Sequence, residues 1–345
     1  MKVGLTGFPG SGKTTVFAAL TGLRAAPGER RAQIGTIKVP DARIDALARI
    51  HSPKKVTLSE VTFVDFPPPL NATQKAVLDQ EMVTALRDAD ALVQVVRGFP
   101  DVAGTAATPA EDVQAFSTEL ALADLAQVEK KAERMKKEKG NERELALFER
   151  LQQILEEGKP LRTAGLTADE QTQLAGYAFL SLRPLLVVVN VPEGDVAKPV
   201  PEAVAAAARE GGAEAFVLSA AVEAEVAELD AGDREAFLAD LGLKESARDR
   251  FIRASYGLLD LISFLTAGDD ECRAWPIRRG TAARKAAGRI HSDIERGFIR
   301  AEVMAFDDFM RLGSEAKCRE AGKLRLEGKD YVVQDGDIVH FRFAV

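Results

Sequence analysis

The strongest chemical signal in the sequence is a glycine-rich segment near its start that ends in a lysine and a threonine. Residues 7–14 fit the pattern G-x-x-x-x-G-K-S/T at every fixed position. Glycines let backbone amides converge on one point without Cβ clashes, and the dipole of a following helix favours phosphate there. The predicted site for nucleotide phosphates comprises Gly7, Phe8, Pro9, Gly10, Ser11, Gly12, Lys13, Thr14 and Thr15.

Three side chains in and beyond this segment suit magnesium-dependent phosphoryl transfer. Lys13 can neutralise terminal phosphate oxygens and the Thr14 hydroxyl can ligate magnesium, so these two are the predicted catalytic residues. Asp65 ends the strand-like run 61–65, a position from which such proteins contact magnesium. The predicted metal ligands are therefore Thr14 and Asp65. The alternative for Asp65 is a capping or turn residue.

A second group of candidate residues follows buried strands in the middle of the chain. The apolar run 185–189 ends in Asn-Val-Pro-Glu, where GTPases carry Asn-Lys-x-Asp and use the aspartate to accept two hydrogen bonds from guanine. Here glutamate replaces that aspartate and valine replaces the lysine. The run 215–218 ends in Ser-Ala, which backs the base in such folds. The predicted base-binding residues are Asn190, Val191, Glu193, Ser219 and Ala220.

Strand-like and helical segments alternate around these residues. Apolar runs short enough to be buried parallel strands occur at 1–6, 34–39, 61–65, 91–96, 185–189 and 215–218. Helical segments follow the phosphate loop and cover about 78–88. Such alternation predicts an α/β fold, in which a P-loop domain is built on a parallel sheet.

The alternation stops between about 118 and 155, where apolar residues recur at spacings of three and four. Gly140-Asn141 interrupts this pattern, which predicts an α-helical hairpin inserted into the sheet domain. Beyond 258, short strands at 299–303 and 338–343 and turn signals predict a separate α+β unit. The predicted domains are a nucleotide-binding domain in two parts (1–105 and 182–257), a helical coiled-coil insertion (106–181) and a C-terminal domain (258–345).

Two segments are rich in cations. The hairpin tip carries seven, interleaved with three glutamates: Lys130, Lys131, Arg134, Lys136, Lys137, Lys139 and Arg143. Between Cys272 and Ser292 there are six and no carboxylate: Arg273, Arg278, Arg279, Arg284, Lys285 and Arg289. Either segment could be an ordinary solvated face or a surface that contacts RNA phosphates.

Composition limits the remaining possibilities. The 345 residues are 46% hydrophobic, carry a net charge of −7, and contain no apolar run of membrane-spanning length. No signal peptide is visible, so a cytoplasmic protein without a membrane partner is expected. Two cysteines make no disulfide framework. Because the whole chain is acidic, contacts with nucleic acid would require local cationic patches.

Ordered matches in the last third of the chain identify a resemblance to the Obg-like ATPase (YchF) family, along nearly the whole length. The matching segments include Gly288-Arg289-Ile290-His291-Ser292-Asp293, Gly297-Phe298-Ile299-Arg300-Ala301-Glu302-Val303 and the run 323–337. The resemblance implies a nucleotide-binding domain, a helical insertion and a terminal TGS domain of β-grasp type. It also implies binding of ATP in preference to GTP through the Asn-x-x-Glu element, together with Mg2+, and association with the ribosome and its RNA without specificity for DNA.

The sequence departs from the family pattern at three places that sense the γ-phosphate. The family's Asp-x-Ala-Gly is Asp65-Phe66-Pro67-Pro68 here, and Pro68 has no amide to offer the phosphate. No threonine lies between Gly22 and Gly35, so the magnesium-binding threonine of the first switch has no counterpart. A histidine proposed to aid hydrolysis is replaced by Gln94. These losses predict slow hydrolysis.

Three functions are compatible with these observations. The first is a ribosome-associated ATPase that acts in or regulates translation. The second is a module that binds ATP and RNA or ribosomes with little or no turnover. The third is a metabolic kinase, because the phosphate loop also resembles that of adenylate kinases; it would need an arginine-rich lid, whereas the insertion here is a lysine-rich hairpin. The oligomeric state is left open.

Overall fold

The computed structural model describes residues 2–23, 32–66, 78–138 and 141–344. The strands are β1 Lys2–Thr6, β2 Gln33–Lys38, β3 Lys55–Thr57, β4 Glu60–Asp65, β5 Ala91–Arg97, β6 Leu185–Asn190, β7 Glu214–Leu218, β8 Leu261–Thr266, β9 Glu271–Arg278, β10 Phe298–Ala305, β11 Arg325–Glu327 and β12 Asp337–Phe343. The helices are α1 Lys13–Thr21, α2 Ala42–His51, α3 Gln80–Arg87, α4 Pro109–Glu138, α5 Glu142–Glu156, α6 Ala168–Leu174, α7 Glu202–Glu210, α8 Ala220–Glu228, α9 Ala231–Asp240, α10 Ala247–Leu258, α11 Ala283–Ile290, α12 Ser292–Arg296, α13 Phe306–Leu312 and α14 Glu315–Glu320.

These elements form two compact units. The first takes in the described residues up to Ile37 and from Thr62 to Ser255. The second takes in Lys38–Val61 and the residues from Tyr256 onward. The sequence pattern placed 38–61 in the nucleotide-binding domain, but α2 buries Ile44 and Leu47 in one apolar cluster with residues of β8 and β9. This contact joins residues more than two hundred positions apart, so no local pattern reports it.

The first unit is built on a six-stranded sheet with strand order β2-β4-β1-β5-β6-β7. The pairs of β1 with β4 and β5, of β5 with β6, and of β6 with β7 are parallel. The three central apolar strands β1, β5 and β6 are almost entirely buried, as expected for a sheet covered on both faces. The predicted α/β fold with a parallel sheet is confirmed.

The helical hairpin consists of α4 and α5, with Val128, Ala132 and Met135 of α4 buried against Phe148 and Leu151 of α5. Its first helix begins at Pro109, nine residues before the predicted start. Proline favours the first position of a helix because its missing N–H has no partner there in any case. Thr108-Pro109 therefore marks the start of the helix, whereas the spacing of apolar residues alone placed the start at about residue 118. Lys139 and Gly140, at the predicted turn, lie outside the described residues.

The second unit contains a mixed six-stranded sheet with strand order β11-β10-β12-β8-β9-β3. Its β12–β8 and β3–β9 pairs are parallel, whereas β8–β9, β10–β12 and β10–β11 are antiparallel. Helix α11 buries Ala283, Ala286 and Ala287 on one face of this sheet. A C-terminal α+β unit is thus present, with β10 and β12 covering the predicted strands at 299–303 and 338–343. Its identity as a TGS domain stays a prediction.

No helix within the described parts of the chain combines the length and apolarity needed to cross a membrane.

Candidate nucleotide-binding site

The glycine-rich segment lies at the carboxyl edge of the first unit's sheet, the usual ligand side of an open α/β sheet. It leaves the central strand β1 after Thr6 and enters α1 at Lys13. The Ser11 amide donates to the Phe8 carbonyl over 3.1 Å, and the Val16 amide donates to the Gly12 carbonyl over 2.9 Å. The segment is therefore a tight turn that passes directly into the helix, as the sequence predicts.

Two glycines of the turn are required by the space around them. Gly7 has φ +152°, and a Cβ there would lie 2.3 Å from the Val95 carbonyl oxygen. Gly12 has φ +82°, and a Cβ there would lie 2.2 Å from Nδ2 of Asn190. Gly10 has a similar φ of +80°, but a Cβ there would meet nothing within 4 Å among the residues described. Gly7 and Gly12 thus let the backbone of the turn lie close to Val95 and Asn190, which a side chain at either position would prevent.

This difference gives a prediction with a matched control. Gly10→Ala and Gly12→Ala should both suffer the strain of a left-handed backbone, roughly 1–2 kcal/mol of unfolding free energy. Gly12→Ala should cost about 1–3 kcal/mol more, because the new methyl group displaces the Asn190 amide from a packed position. Urea denaturation of both variants without nucleotide measures the difference.

An added Asn190→Ala change should remove the extra cost, because it removes the group that the methyl contacts. Equal destabilisation by Gly10→Ala and Gly12→Ala would contradict the assigned role of Gly12.

Lys13 and Asp65 form a buried ion pair beside the glycine-rich turn. The Lys13 ammonium donates to Oδ1 of Asp65 and to the carbonyl oxygen of Phe66. Both side chains are almost fully buried. Burial lowers the pKa of Lys13, and its charge and hydrogen bond with Asp65 oppose that shift. The structure thus brings together the predicted phosphate-binding lysine and the predicted metal ligand, although 52 positions separate them in the sequence.

The remaining groups of the cradle fit a phosphate and a magnesium ion. Helix α1 has no side-chain cap at its N-terminus, because its N-cap residue is Gly12. Thr14 and Thr15 are exposed on its first turn. Ser11 is 2% exposed, and its hydroxyl has no hydrogen-bond partner among the described residues. The described residues contain no group of three or more His, Cys, Asp or Glu side chains that could hold a metal. Within the described residues, Thr14 and Asp65 stay the predicted magnesium ligands, and the ion would take its other ligands from phosphate and water, which is its usual mode of binding.

Asn190 connects the phosphate loop to the other predicted binding segment. Its Nδ2 donates to the Ser11 carbonyl over 3.1 Å, and its Oδ1 accepts from the Ala220 amide over 3.1 Å. The side chain is buried, so its amide acts as a clamp between the two segments. The structure shows this positioning role, which links residues 179 positions apart. The base contact expected of Asn190 stays a prediction.

The other predicted base-binding residues lie around this clamp. Val191 is 9% exposed. Its Cγ1 packs against Gly98, where an added Cβ would lie only 2.8 Å away from it. Glu193 is exposed at the start of a short 3-10 turn, Glu193–Asp195. Ser219 is fully buried and caps α8. The carboxylate of Glu193 is therefore exposed, and its contact with a base stays a prediction, while Ser219 fixes the start of α8.

Gln94 is held away from the solvent. Its side chain is fully buried in β5, and Nε2 donates to the Asp112 carbonyl in the first turn of α4 over 2.8 Å. Its Oε1 has no partner among the residues that the structure describes. In this arrangement the Gln94 side chain holds the first turn of α4. The stretches 24–31 and 67–77, which include Pro68 and most of the first switch, lie outside the described residues.

Known proteins match this chain over most of its length. Residues 2–139 match the family model described as 50S ribosome-binding GTPase, and residues 261–344 match YchF-GTPase_C, described as a protein of unknown function. The chain is similar to the ribosome-binding ATPase YchF of Pasteurella multocida, at 42% identity over 100% of this chain and 99% of the relative. The corresponding protein of Bacillus subtilis is 38% identical, with both chains fully covered.

A solved structure shares the fold. The Schizosaccharomyces pombe YchF GTPase superposes with a TM-score of 0.88 at 29% identity, covering 99% of this chain and 97% of that one. A GTP-binding protein from Pyrococcus horikoshii gives a TM-score of 0.61 at 20% identity and shows the fold alone.

Proposed function

The chain belongs to the YchF family of ribosome-binding ATPases, and from that premise we propose that it is itself a ribosome-associated ATPase that acts in or regulates translation. One observation of the structure carries the chemical part of this proposal. Lys13, the Asp65 carboxylate and an open glycine cradle meet at one edge of the sheet, and Asn190 fixes the cradle. We place the protein in the cytoplasm. The kinase hypothesis has no support from these full-length relatives.

In this proposal each residue acts on the triphosphate in a defined way. The loop amides and the α1 N-terminus bind phosphate oxygens, and Lys13 leaves Asp65 to neutralise the terminal phosphates. Thr14 and Asp65 would hold Mg2+, which neutralises charge that develops on the phosphates during transfer. The Lys13–Asp65 pair keeps both charged groups compensated until the ligand arrives, because an unpaired charge in this buried position would be costly.

We expect ATP to bind more tightly than GTP. The Glu193 carboxylate lies one methylene further from the backbone than the aspartate of GTPases, so it cannot make the same paired contact with guanine. Val191 lacks the lysine stem that accompanies that contact. Calorimetric titration with both nucleotides should show ATP preferred by about tenfold or more, the worth of one hydrogen bond to a charged group.

The double variant Val191→Lys/Glu193→Asp should move the preference toward GTP. Glu193→Gln is the control, because it keeps the length of the side chain and removes only its charge. Tighter GTP binding by the unaltered protein would refute the proposed preference.

A specific observation favours a weaker version of the same function, in which the protein binds ATP but turns it over slowly. Gln94 occupies the place of a histidine proposed to aid hydrolysis in the family, and its side chain is committed to the Asp112 carbonyl. It does not replace that histidine in the observed conformation. Since Pro68 and the missing switch threonine also remove contacts to the γ-phosphate, we propose a low intrinsic rate.

A further inference from the structure

Helix α3 is held at both ends by α4, the first helix of the hairpin. Just before α3 begins, the Leu78 amide donates to a carboxylate oxygen of Glu119 over 2.9 Å. At its last residue, Arg87 donates to Oε1 of Gln127 and lies 3.8 Å from the buried carboxylate of Asp124. Glu119, Asp124 and Gln127 all belong to α4. These contacts fix α3 on the hairpin, so a displacement of one helix must be followed by the other or break them.

Arg87 is the centre of the polar contact between the two helices. Its guanidinium also donates to the Tyr177 carbonyl over 3.2 Å, and Gln127 donates to the same oxygen over 3.1 Å. The backbone carbonyl of Arg87 accepts from Arg183 over 3.0 Å. Arg87 therefore joins the end of α3 both to α4 and to the segment that follows the hairpin in the chain.

The apolar contacts of α3 lead back to the phosphate site. Leu86, which precedes Arg87, is fully buried in a cluster that also contains Phe66 and residues of α4. A Cβ added at Gly4 would lie 3.1 Å from Cδ2 of Leu86 and 3.3 Å from Cε2 of Phe66. The two side chains therefore share the space above the bare backbone of β1, and neither can move far without the other in a close-packed interior.

Phe66 is also the residue whose carbonyl binds the predicted catalytic lysine. The Lys13 ammonium donates to that oxygen as well as to Asp65. A triphosphate that recruits Lys13 competes for the same three ammonium hydrogens. Phe66 then loses a charged donor at its carbonyl, while its ring lies beside Leu86 of α3. Recruitment of Lys13 is thus linked to the position of α3 through one residue.

We propose that α3 couples the nucleotide site to the helical hairpin, with Phe66 and Arg87 as the residues that carry the coupling. Arg87 acts through α3 and is a positioning residue. Coupling of this kind is reciprocal: a nucleotide that shifts α3 changes the hairpin, and a partner bound to the hairpin changes nucleotide affinity by the same factor. The inference rests on the proposed binding of ATP at Lys13 and adds the part of the chain that responds to it.

Hydrogen exchange of the full-length protein measures this coupling without ribosomes. The protein is compared without nucleotide and saturated with Mg2+ and β,γ-imido-ATP, which is not hydrolysed. Exchange of α1 reports occupancy of the phosphate loop, and exchange of α3 and of 116–128 in α4 reports the coupling. We expect the exchange rates of both groups to change by about fivefold or more, the lower end of ordinary coupling between sites.

Variants test whether Arg87 carries the coupling. Arg87→Ala removes the side-chain bonds to α4, so α1 should still respond to the nucleotide while 116–128 loses most of its response. Gln127→Leu removes the partner amide and leaves Asp124 beside Arg87, so it should have the same effect even if Arg87→Ala fails to fold. Arg150→Ala is the matched control. It breaks the 2.9 Å pair with Glu170, which does not involve α3, and should keep the full response.

The outcomes distinguish this inference from the proposed function. If α1 responds to the nucleotide but 116–128 does not, the inference is overturned and ATP binding stands. A full response of 116–128 in both Arg87→Ala and Gln127→Leu would also overturn it, because the hairpin would then respond without the contacts of α3. If neither α1 nor 116–128 responds and calorimetry detects no nucleotide binding, the proposed function fails and the inference fails with it.

Discussion

Replacement of Lys13 by alanine should lower the free energy of unfolding by about 3 kcal/mol in the absence of nucleotide, besides abolishing ATP binding. The reason is the buried carboxylate of Asp65, which is 5% exposed and would lose its ion-pair partner. Removal of one member of a buried pair is costly because the remaining charge is neither solvated nor compensated. Urea denaturation of the variant and of the unaltered protein measures the loss.

Two comparisons make this test specific. Adding Asp65→Asn to Lys13→Ala should recover much of the lost stability, because the asparagine carries no charge to compensate. Lys136→Ala is the matched control. Its ammonium pairs with Glu149 at 2.9 Å, but both side chains are about half exposed. An exposed pair of this kind contributes about 0.5 kcal/mol or less. A Lys13→Ala variant as stable as Lys136→Ala would show that the buried pair does not hold the nucleotide-free site together.

Pro68→Gly should accelerate single-turnover hydrolysis of bound ATP by roughly 10²–10³-fold, the usual effect of one hydrogen-bond donor aimed at transition-state charge. The position corresponds to the glycine of the family's Asp-x-Ala-Gly, whose amide meets the terminal phosphate. Proline has no amide hydrogen, so the substitution restores a donor. The measurement is quenched-flow analysis of pre-bound ATP.

Pro67→Gly controls for the stiffness of the proline run, since it loosens the same segment without adding a donor at position 68. We expect it to leave the rate nearly unchanged. If the two variants accelerate hydrolysis equally, stiffness and not the missing amide limits the rate. If neither does, the absent switch threonine becomes the leading cause of slow turnover.

The parts of the site that are local in sequence could be predicted from it. The phosphate loop needs glycines, a lysine and a threonine at fixed spacing, and it lies between a strand and a helix that the apolar pattern also indicates. The order of the segments was sufficient for the α/β fold, because buried parallel strands read as short continuous apolar runs, whereas the helices between them repeat apolar residues every three or four positions.

The contacts that depend on distant residues could not be predicted in the same way. Asp65 was expected to contact magnesium, but its bond to Lys13 requires the parallel pairing of β1 with β4. Asn190 was assigned a base contact, and its clamp between Ser11 and Ala220 appears only when β6 and β7 are paired. The grouping of 38–61 with the second unit likewise depends on the β3–β9 pairing. Sequence patterns report which residues are buried, but they do not report which buried residues meet.

Phosphate release from ATP, measured with and without ribosomes, is the most direct test of the proposed function. The unaltered protein alone should release phosphate slowly, ribosomes should increase the rate, and GTP should be a poorer substrate under both conditions. The Lys13→Ala variant should be inactive throughout, which excludes contaminating ribosomal ATPases as the source of the signal. A rate that ribosomes leave unchanged, in a protein that also fails to sediment with them, would contradict the account.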